Sequence, residues 1–167
     1  GRPFADGLDG NSNIFANMAS TSVEITEAEH PIAILAYEFV PDKAGAGKYR
    51  GGNSASVAFI PHGTTHIIQD TESSGAAIPT APGLAGGYPA NTNYYLFKRN
   101  TDILQRFARR RMPNDIAEVE GQEELLQLRQ IDIYQGPSDV YEVAFAAGAG
   151  YGDPLERDPE AVRRDVY

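Results

Sequence analysis

Cysteine is absent from the 167 residues, and so is any long apolar run. The first absence excludes disulfides, thiolate zinc sites, iron–sulfur clusters and cysteine nucleophiles. The second excludes a membrane-spanning helix, which needs about 20 consecutive apolar residues. No segment has the basic, apolar and small-residue pattern of a secretory signal either. We therefore expect a cytoplasmic protein.

Positive charge is scarce, with 14 Lys and Arg against 23 Asp and Glu and a net charge of −9. An acidic surface repels phosphate backbones and anionic headgroups, so neither nucleic acid nor membrane is an expected partner. The basic run at 109–111 is too short to change this. The sequence also lacks an initiator methionine and begins Gly1-Arg2-Pro3, so we expect a fragment or a processed chain.

Short apolar runs separated by turn residues predict a mainly β fold. Residues 23–26 alternate apolar and polar side chains, which predicts a strand. Residues 32–40 are apolar on both faces, so a strand there should be covered on both sides. The same signals predict strands over 54–60, 64–69, 93–98, 125–128, 131–134 and 140–145.

Two segments have helical patterns. Ile103, Leu104 and Phe107 lie on one side of a helix over 101–111. Asp158 before Pro159 is a typical helix start and predicts a terminal helix over 159–166. The acidic residues 115–124 between predicted elements are expected to be a surface excursion.

The expected fold class is mainly β with minor α (α+β), with sandwich-like or barrel-like sheets, one short internal helix and a C-terminal helix. With 167 residues, one domain spanning 1–167 is expected. It comprises an extended loop over 1–20, a β-rich core over 21–145, and a glycine-rich loop with the terminal helix over 146–167.

Two glycine-rich stretches are candidate sites. Residues 45–52 lack the spacing of a dinucleotide or P-loop motif, because Arg50 stands where a glycine is needed. We interpret them as a turn whose glycines adopt positive φ, and Arg50 as a possible partner for a carboxylate or phosphate. Residues 148–153 either present amides to an anion or form a tight connection, and we favour the connection.

Histidines and carboxylates give weaker signals. On one strand His62 and His66 would lie ~13 Å apart, too far to share a metal, so no metal site is predicted. Glu27 and Glu29 belong to an acidic cluster that is either a charged rim or an acid–base pair. We hypothesise that one of them pairs with Arg50. No Ser–His–Asp arrangement is visible.

Five segments together resemble one family. Residues 2–10 form a Gly/Asp-rich lead-in. Residues 21–31 have the pattern T-x-V-E followed by E-A-E-x-P. Residues 37–52 combine Tyr-Glu and Pro-Asp with the glycine run around Arg50. Residues 83–89 read G-L-A-G-G-Y-P, and residues 148–166 read G-A-G-Y-G-D-P-L-E-R-D-P-E-A-V followed by R-D-V. Because these motifs keep one order along nearly the whole chain, the sequence resembles the hydantoinase B/oxoprolinase family.

The resemblance implies the C-terminal portion of a B-type subunit, of the N-methylhydantoinase or acetone–acetophenone carboxylase-like branch. The expected partners are the rest of that subunit and an A-type ATP-binding subunit, acting together on small-molecule cyclic amides or ketones. ATP and a divalent metal are implied for the complex and neither is expected on this chain. No catalytic residue is assigned. Candidate substrate or interface residues are Glu27, Glu29, Arg50, Gly51, Gly52, Gly87, Tyr88, Tyr151 and Asp153.

Two functions follow as alternatives. In the first, this chain completes the fold and assembly of a subunit of an ATP-dependent hydrolase or carboxylase, and is not catalytic alone. In the second, it is a stand-alone β-rich module that binds a small molecule or is purely structural. The long loops over 1–20 and 70–93 favour the first, because loops of this length usually lie against a partner.

Overall fold

The computed structural model describes residues 1–10, 22–73, 75 and 77–166. Its strands are β1 (Ile32–Val40), β2 (Ser54–Pro61), β3 (Ile67–Glu72), β4 (Tyr94–Arg99), β5 (Gln122–Leu125), β6 (Arg129–Gln135) and β7 (Val140–Ala144). Its helices are α1 (Val23–Glu29), α2 (Ile103–Ala108) and α3 (Pro159–Val166). Two short 3-10 turns span Ile116–Glu118 and Pro154–Glu156. None of the described helices is long and apolar enough to cross a bilayer.

The strands form two antiparallel sheets. The larger has the order β1-β2-β7-β4-β5, and the smaller is a ribbon of β3 and β6. The larger sheet is open, with β1 and β5 at its edges. The fold is therefore made of stacked layers, and the described strands do not close into a barrel. The mainly β fold class with minor α is confirmed.

The five-stranded sheet is the middle layer. On one face, Phe59, Phe97 and Tyr141 pack with Ile133 of the ribbon and with Leu126. On the other face, residues of β2 and β7 pack against α2 and the 3-10 turn at 116–118, and this cluster contains Ala58, Ile60, Val140, Ile103, Ile116 and Val119. The central strands contribute apolar side chains to both clusters, because successive side chains along a strand point to opposite faces of the sheet.

Lys98 ties the turn at 116–118 to the sheet. Its side chain is only 4% exposed and its Nζ lies 2.9 Å from a carboxylate oxygen of Glu123. The same ammonium donates to the carbonyl oxygens of Ile116 at 3.1 Å and Val119 at 3.2 Å. All three donors of this buried charge are therefore satisfied, which is the condition for burying it.

The prediction of a strand over 23–26 is wrong, because these residues open helix α1. The hydroxyl of Ser22 accepts from the backbone N–H of Ile25, so it caps the first turn. Val23 and Thr26 are the partly buried positions of the helix, and their spacing of three is helical. An alternation of four residues is too short to distinguish the two periods.

Two predictions about coverage are not met by the described residues. In β1, Tyr37 is 46% and Phe39 is 60% exposed, so the described residues do not cover this strand on both sides. The acidic stretch at 115–124 is not simply a surface excursion, because Ile116 and Val119 are buried in the core. Their spacing of three residues brings both inward across the 3-10 turn.

The prediction of a strand over 125–128 is wrong, because β5 ends at Leu125 and the next three residues lie outside any strand. The remaining predicted strands and both helices are present, some with shifted ends: the strand expected over 64–69 is β3 and begins at Ile67, and the helix expected over 101–111 is the shorter α2. Helix α3 begins at Pro159, and the Asp158 carboxylate accepts from the Glu160 N–H at 3.0 Å. The loop expected over 1–20 lies partly outside the described residues.

Ile103→Ala should lower the free energy of unfolding by about 2–5 kcal/mol, because it leaves a cavity between α2 and the sheet. Ile103 is fully buried, whereas its neighbour Leu104 is largely exposed. Leu104→Ala is therefore the matched control, with an expected change within about 0.5 kcal/mol. Equilibrium urea unfolding measures both, and equal effects of the two substitutions would contradict this packing.

Candidate functional site: a glycine-rich bundle

Four chain segments meet at one end of the sheet, and we call them the glycine bundle: residues 1–10, 45–53, 83–88 and 148–153. They are joined mainly by backbone hydrogen bonds. Residues 45–53 and 148–153 pair most extensively, and the bonds run from Gly45 N to Gly148 O, Lys48 N to Gly152 O, Tyr49 N to Tyr151 O, Gly148 N to Gly52 O and Tyr151 N to Tyr49 O, each 2.9–3.1 Å long.

The other two segments attach to this pair. Residues 83–88 join through Tyr88 N to Ala46 O at 2.7 Å and Gly150 N to Tyr88 O at 3.0 Å. Residues 1–10 join through Gly7 N to Arg50 O at 2.8 Å. Residues 1–10 of the expected extended loop therefore lie against this chain.

Close backbone approach explains the glycines of the bundle. A Cβ added at Gly51 would overlap the carbonyl oxygen of Gly148, and one added at Gly52 would overlap that of Leu8. A Cβ at Gly47 would lie 2.7 Å from the backbone nitrogen of Tyr151. The prediction that the 45–52 glycines adopt positive φ is wrong, since the positive-φ glycines lie elsewhere. The lack of a side chain is what these positions require.

The bundle is not an anion cradle. The amides of Gly148, Gly150, Tyr151 and Gly152 all donate to carbonyl oxygens of neighbouring segments. An anion would have to displace bonds that already satisfy these groups. The favoured interpretation of residues 148–153, a tight connection, agrees with this geometry.

Arg157 joins the N-terminal segment to the terminal helix. Its side chain is only 9% exposed, and the guanidinium binds Asp6 through two parallel bonds of 2.8 and 2.9 Å. It also pairs with Asp165 of α3 at 2.7 Å and donates to the carbonyl oxygen of Lys48 at 3.0 Å. The hydrogen bonds from Arg157 hold the pKa of the Asp6 carboxyl below its usual value of 3.8. The same bonds raise the pKa of Arg157.

Arg50 extends this network. It pairs with Asp165 at 3.0 Å and with Asp9 at 3.4 Å. The hypothesis that it pairs with Glu27 or Glu29 is wrong, because both glutamates lie on α1, where Glu27 accepts the N–H of Ile34 at 2.7 Å. The prediction that Arg50 binds a carboxylate is thus confirmed, but the carboxylates are those of Asp9 and Asp165.

The structure brings seven of the nine candidate residues into the bundle: Arg50, Gly51, Gly52, Gly87, Tyr88, Tyr151 and Asp153. Gly87 packs against Gly150, and Tyr151 bridges to both Tyr49 and Leu84. Asp153 caps the adjacent 3-10 turn by accepting from Leu155 N at 2.9 Å. Their interactions within the chain are structural, since backbone groups and ion pairs satisfy one another.

A second polar region lies on the helix-bearing face of the sheet. A cavity of about 530 Å³ is lined by Glu38, Tyr94, Lys98, Asp115 and Glu142, among others. The Tyr94 hydroxyl donates to Glu142 at 3.0 Å. Burial raises the pKa of Glu142, and it raises the pKa of Tyr94 to about 12. This pair can hold a proton, and Ser56 and Lys98 also line the cavity.

A metal site is not built by the part of the chain described. Its residues contain no group of three or more His, Asp or Glu side chains that could hold a metal ion. His62 follows β2, and His66 precedes β3 and stacks on Tyr134 at 4.8 Å. The divalent metal that the resemblance implies therefore has no matching ligand set on these residues.

A profile for hydantoinase B/oxoprolinase matches residues 1–154, which is most of the chain. The chain belongs to the hydantoinase B/oxoprolinase family. The acetophenone carboxylase delta subunit of Aromatoleum aromaticum is 30% identical over 181 residues, covering 99% of this chain and 26% of that protein. The nucleotide-free structure of acetone carboxylase has the same fold, with a TM-score of 0.80 and 23% identity over 97% of this chain and 23% of its own.

The ATP-dependent caprolactamase of Pseudomonas jessenii is a further structural relative, with a TM-score of 0.65 and 25% identity over 88% of this chain. This chain covers 22% of the caprolactamase chain. It thus spans about a quarter of the length of these hydantoinase B/oxoprolinase relatives.

Sequence reasoning did not single out Asp6, Arg157 and Asp165, the central ion-paired residues of the bundle. Asp6 lies in the first of the motifs that resemble the hydantoinase B/oxoprolinase family, near the start of the chain. Arg157 and Asp165 lie in the last of these motifs, at the other end. No local sequence pattern indicates that Asp6 pairs with Arg157, because the two residues are 151 positions apart. The available signal was that charged residues interrupt glycine-rich motifs at both ends.

Gly51→Ala should lower the free energy of unfolding by about 1–3 kcal/mol or more, because its methyl group would overlap the Gly148 carbonyl. Gly136→Ala is the matched control, since its Cβ would meet only Asp139 Oδ2 at an ordinary 3.5 Å. Thermal unfolding compares the two. A Gly51→Ala protein as stable as the control would show that the bundle is not closely packed.

Asp6→Asn should destabilise the chain at neutral pH and progressively less in acid. Because the pKa of Asp6 is lowered on folding, its stabilisation is present above the unfolded pKa, about 4, and is lost as pH falls through the folded pKa. The stability difference between wild type and variant should therefore shrink on acidification. Urea unfolding across pH 7 to 3 measures it, with Glu29→Gln on α1 as control. A difference that does not change with pH would refute the charged pairing with Arg157.

Proposed function

We propose that this chain is the C-terminal portion of the B-type subunit of an ATP-dependent complex, and that it completes the fold and assembly of that subunit. The observation that carries this proposal is the internal satisfaction of the glycine bundle. Its amides and charged groups bind one another, so within the bundle, all of which the structure describes, no convergent set of catalytic groups is left for a substrate. The chain is then structural, and the reaction takes place elsewhere in the complex.

The names of the relatives support the wider assignment. A 30% identical relative is a carboxylase subunit, and a structural relative is an ATP-dependent caprolactamase. We propose that the parent complex acts on a ketone or a cyclic amide in the cytoplasm, with an A-type subunit that binds ATP. ATP and a divalent metal would be held by the rest of the complex.

Exposed apolar side chains support an assembly role for this chain. Large hydrophobic residues that remain exposed include Phe4, Leu8, Phe39, Leu84, Tyr88 and Phe145. Of these, Leu8 and Leu84 line one cavity, and apolar surface that is shared in this way marks interaction sites. A stand-alone module would instead be expected to cover such residues and to bind a ligand, for which the polar cavity beside Tyr94 and Glu142 is the candidate location.

Co-expression tests this function. The chain should co-purify with a polypeptide comprising the rest of the B-type subunit and with the A-type subunit. ATP-dependent carboxylation of acetophenone or ring opening of caprolactam should require all three polypeptides. The control is the same mixture without this chain, in which we expect no turnover because the B-type subunit is incomplete.

Two results would contradict the proposal. One is turnover of either substrate by the purified chain alone. The other is full activity of the remaining polypeptides when this chain is left out.

A further inference from the structure

One half of the ribbon-bearing face of the five-stranded sheet is covered only in part by described residues, among which Gly10 approaches the Phe39 ring. Val57 and Val143 lie opposite one another on β2 and β7, which makes a first row. Phe39 pairs with Ala55, whose carbonyl oxygen accepts from Phe145 N at 3.1 Å, which makes a second row. Residues opposite one another on neighbouring strands share a face. We call these two rows the open face.

The open face continues the core rather than a polar surface. Val143 and Phe59 pack against the cluster of Tyr95, Phe97 and Tyr141 that lies under the ribbon. Beyond the ribbon, Phe39 is 60% and Phe145 is 49% exposed. Two aromatic rings on one sheet face, continuous with a buried cluster, form an apolar surface that exposure to water disfavours.

The opposite face at the same strands differs in chemistry. Glu38 and Glu142 lie there beside Asp115 around the polar cavity, so an apolar partner would have to bury carboxylates on that side. An unpaired buried charge is strongly unfavourable. The open face is therefore the side of this sheet that suits an apolar partner.

We propose that the open face is the docking surface for the remaining part of the B-type subunit, which contributes large apolar side chains to it. This inference rests on the proposed function. The length of the relatives supports the choice of occupant, since this chain matches only 26% of the acetophenone carboxylase delta subunit. About three quarters of such a polypeptide lies outside this chain, and the described residues cover this part of the sheet only partly.

Binding of this chain to the separately expressed rest of the B-type subunit tests the proposal. Phe39→Ser and Phe145→Ser should each raise the dissociation constant by about tenfold or more, because buried aromatic anchors dominate such interfaces. Ile131→Ser and Leu155→Ser are the controls, since these side chains are 65% and 92% exposed on other surfaces. The controls should bind like wild type. Thermal unfolding of all four variants checks that each remains folded.

The outcomes separate this inference from the function on which it depends. If wild-type chain binds and the Phe39 and Phe145 variants bind equally well, docking uses another surface and the proposed function stands. If the chain instead forms a dimer that Phe39→Ser abolishes, the occupant is a second copy and the inference is wrong. If wild-type chain does not bind the rest of the subunit, the proposed function itself fails.

Discussion

Backbone-to-backbone packing at glycine positions is the constraint on which this structure depends. Residues 45–53 and 148–153 approach so closely that a Cβ at Gly51 or Gly150 would overlap a carbonyl oxygen of the other segment. Because the amides and carbonyls of these segments satisfy one another, a region without regular secondary structure can lie within the fold. This packing brings the beginning of the described chain beside its end, and it positions α3.

The ion pairs stabilise what the glycines bring together. Exposed pairs contribute little to stability, but the Arg157 side chain is only 9% exposed and is bound by two aspartates from distant segments. Removal of one partner would leave a buried charge incompletely satisfied, so the network favours one arrangement of the chain ends. Membership of the hydantoinase B/oxoprolinase family fits a structural role for this region, since its motifs coincide with the groups that hold the segments in contact.

Periodic segments of the fold could be predicted from sequence, and long-range contacts could not. The apolar residues of β4 and β7, and the pattern around Ile103 and Phe107, indicated their elements correctly because each extends over several residues. The four-residue alternation before Glu27 was too short, and a serine cap made it a helix. The glycines at 45–52 were singled out for their conformational freedom, whereas the fold uses their small size. That requirement, like the pairing of Arg157 with Asp6, exists only once distant segments meet.

Amide hydrogen exchange measured by NMR tests the central claim most directly. If the glycine bundle is a closely packed unit, the amides of Gly148, Gly150 and Tyr151 should be protected to the same degree as those of β2 and β7, because exchange requires opening of the surrounding structure. Gly63, in an exposed turn with open space around it, provides the fast-exchanging reference. Exchange of the bundle amides at the rate of Gly63 would contradict the account.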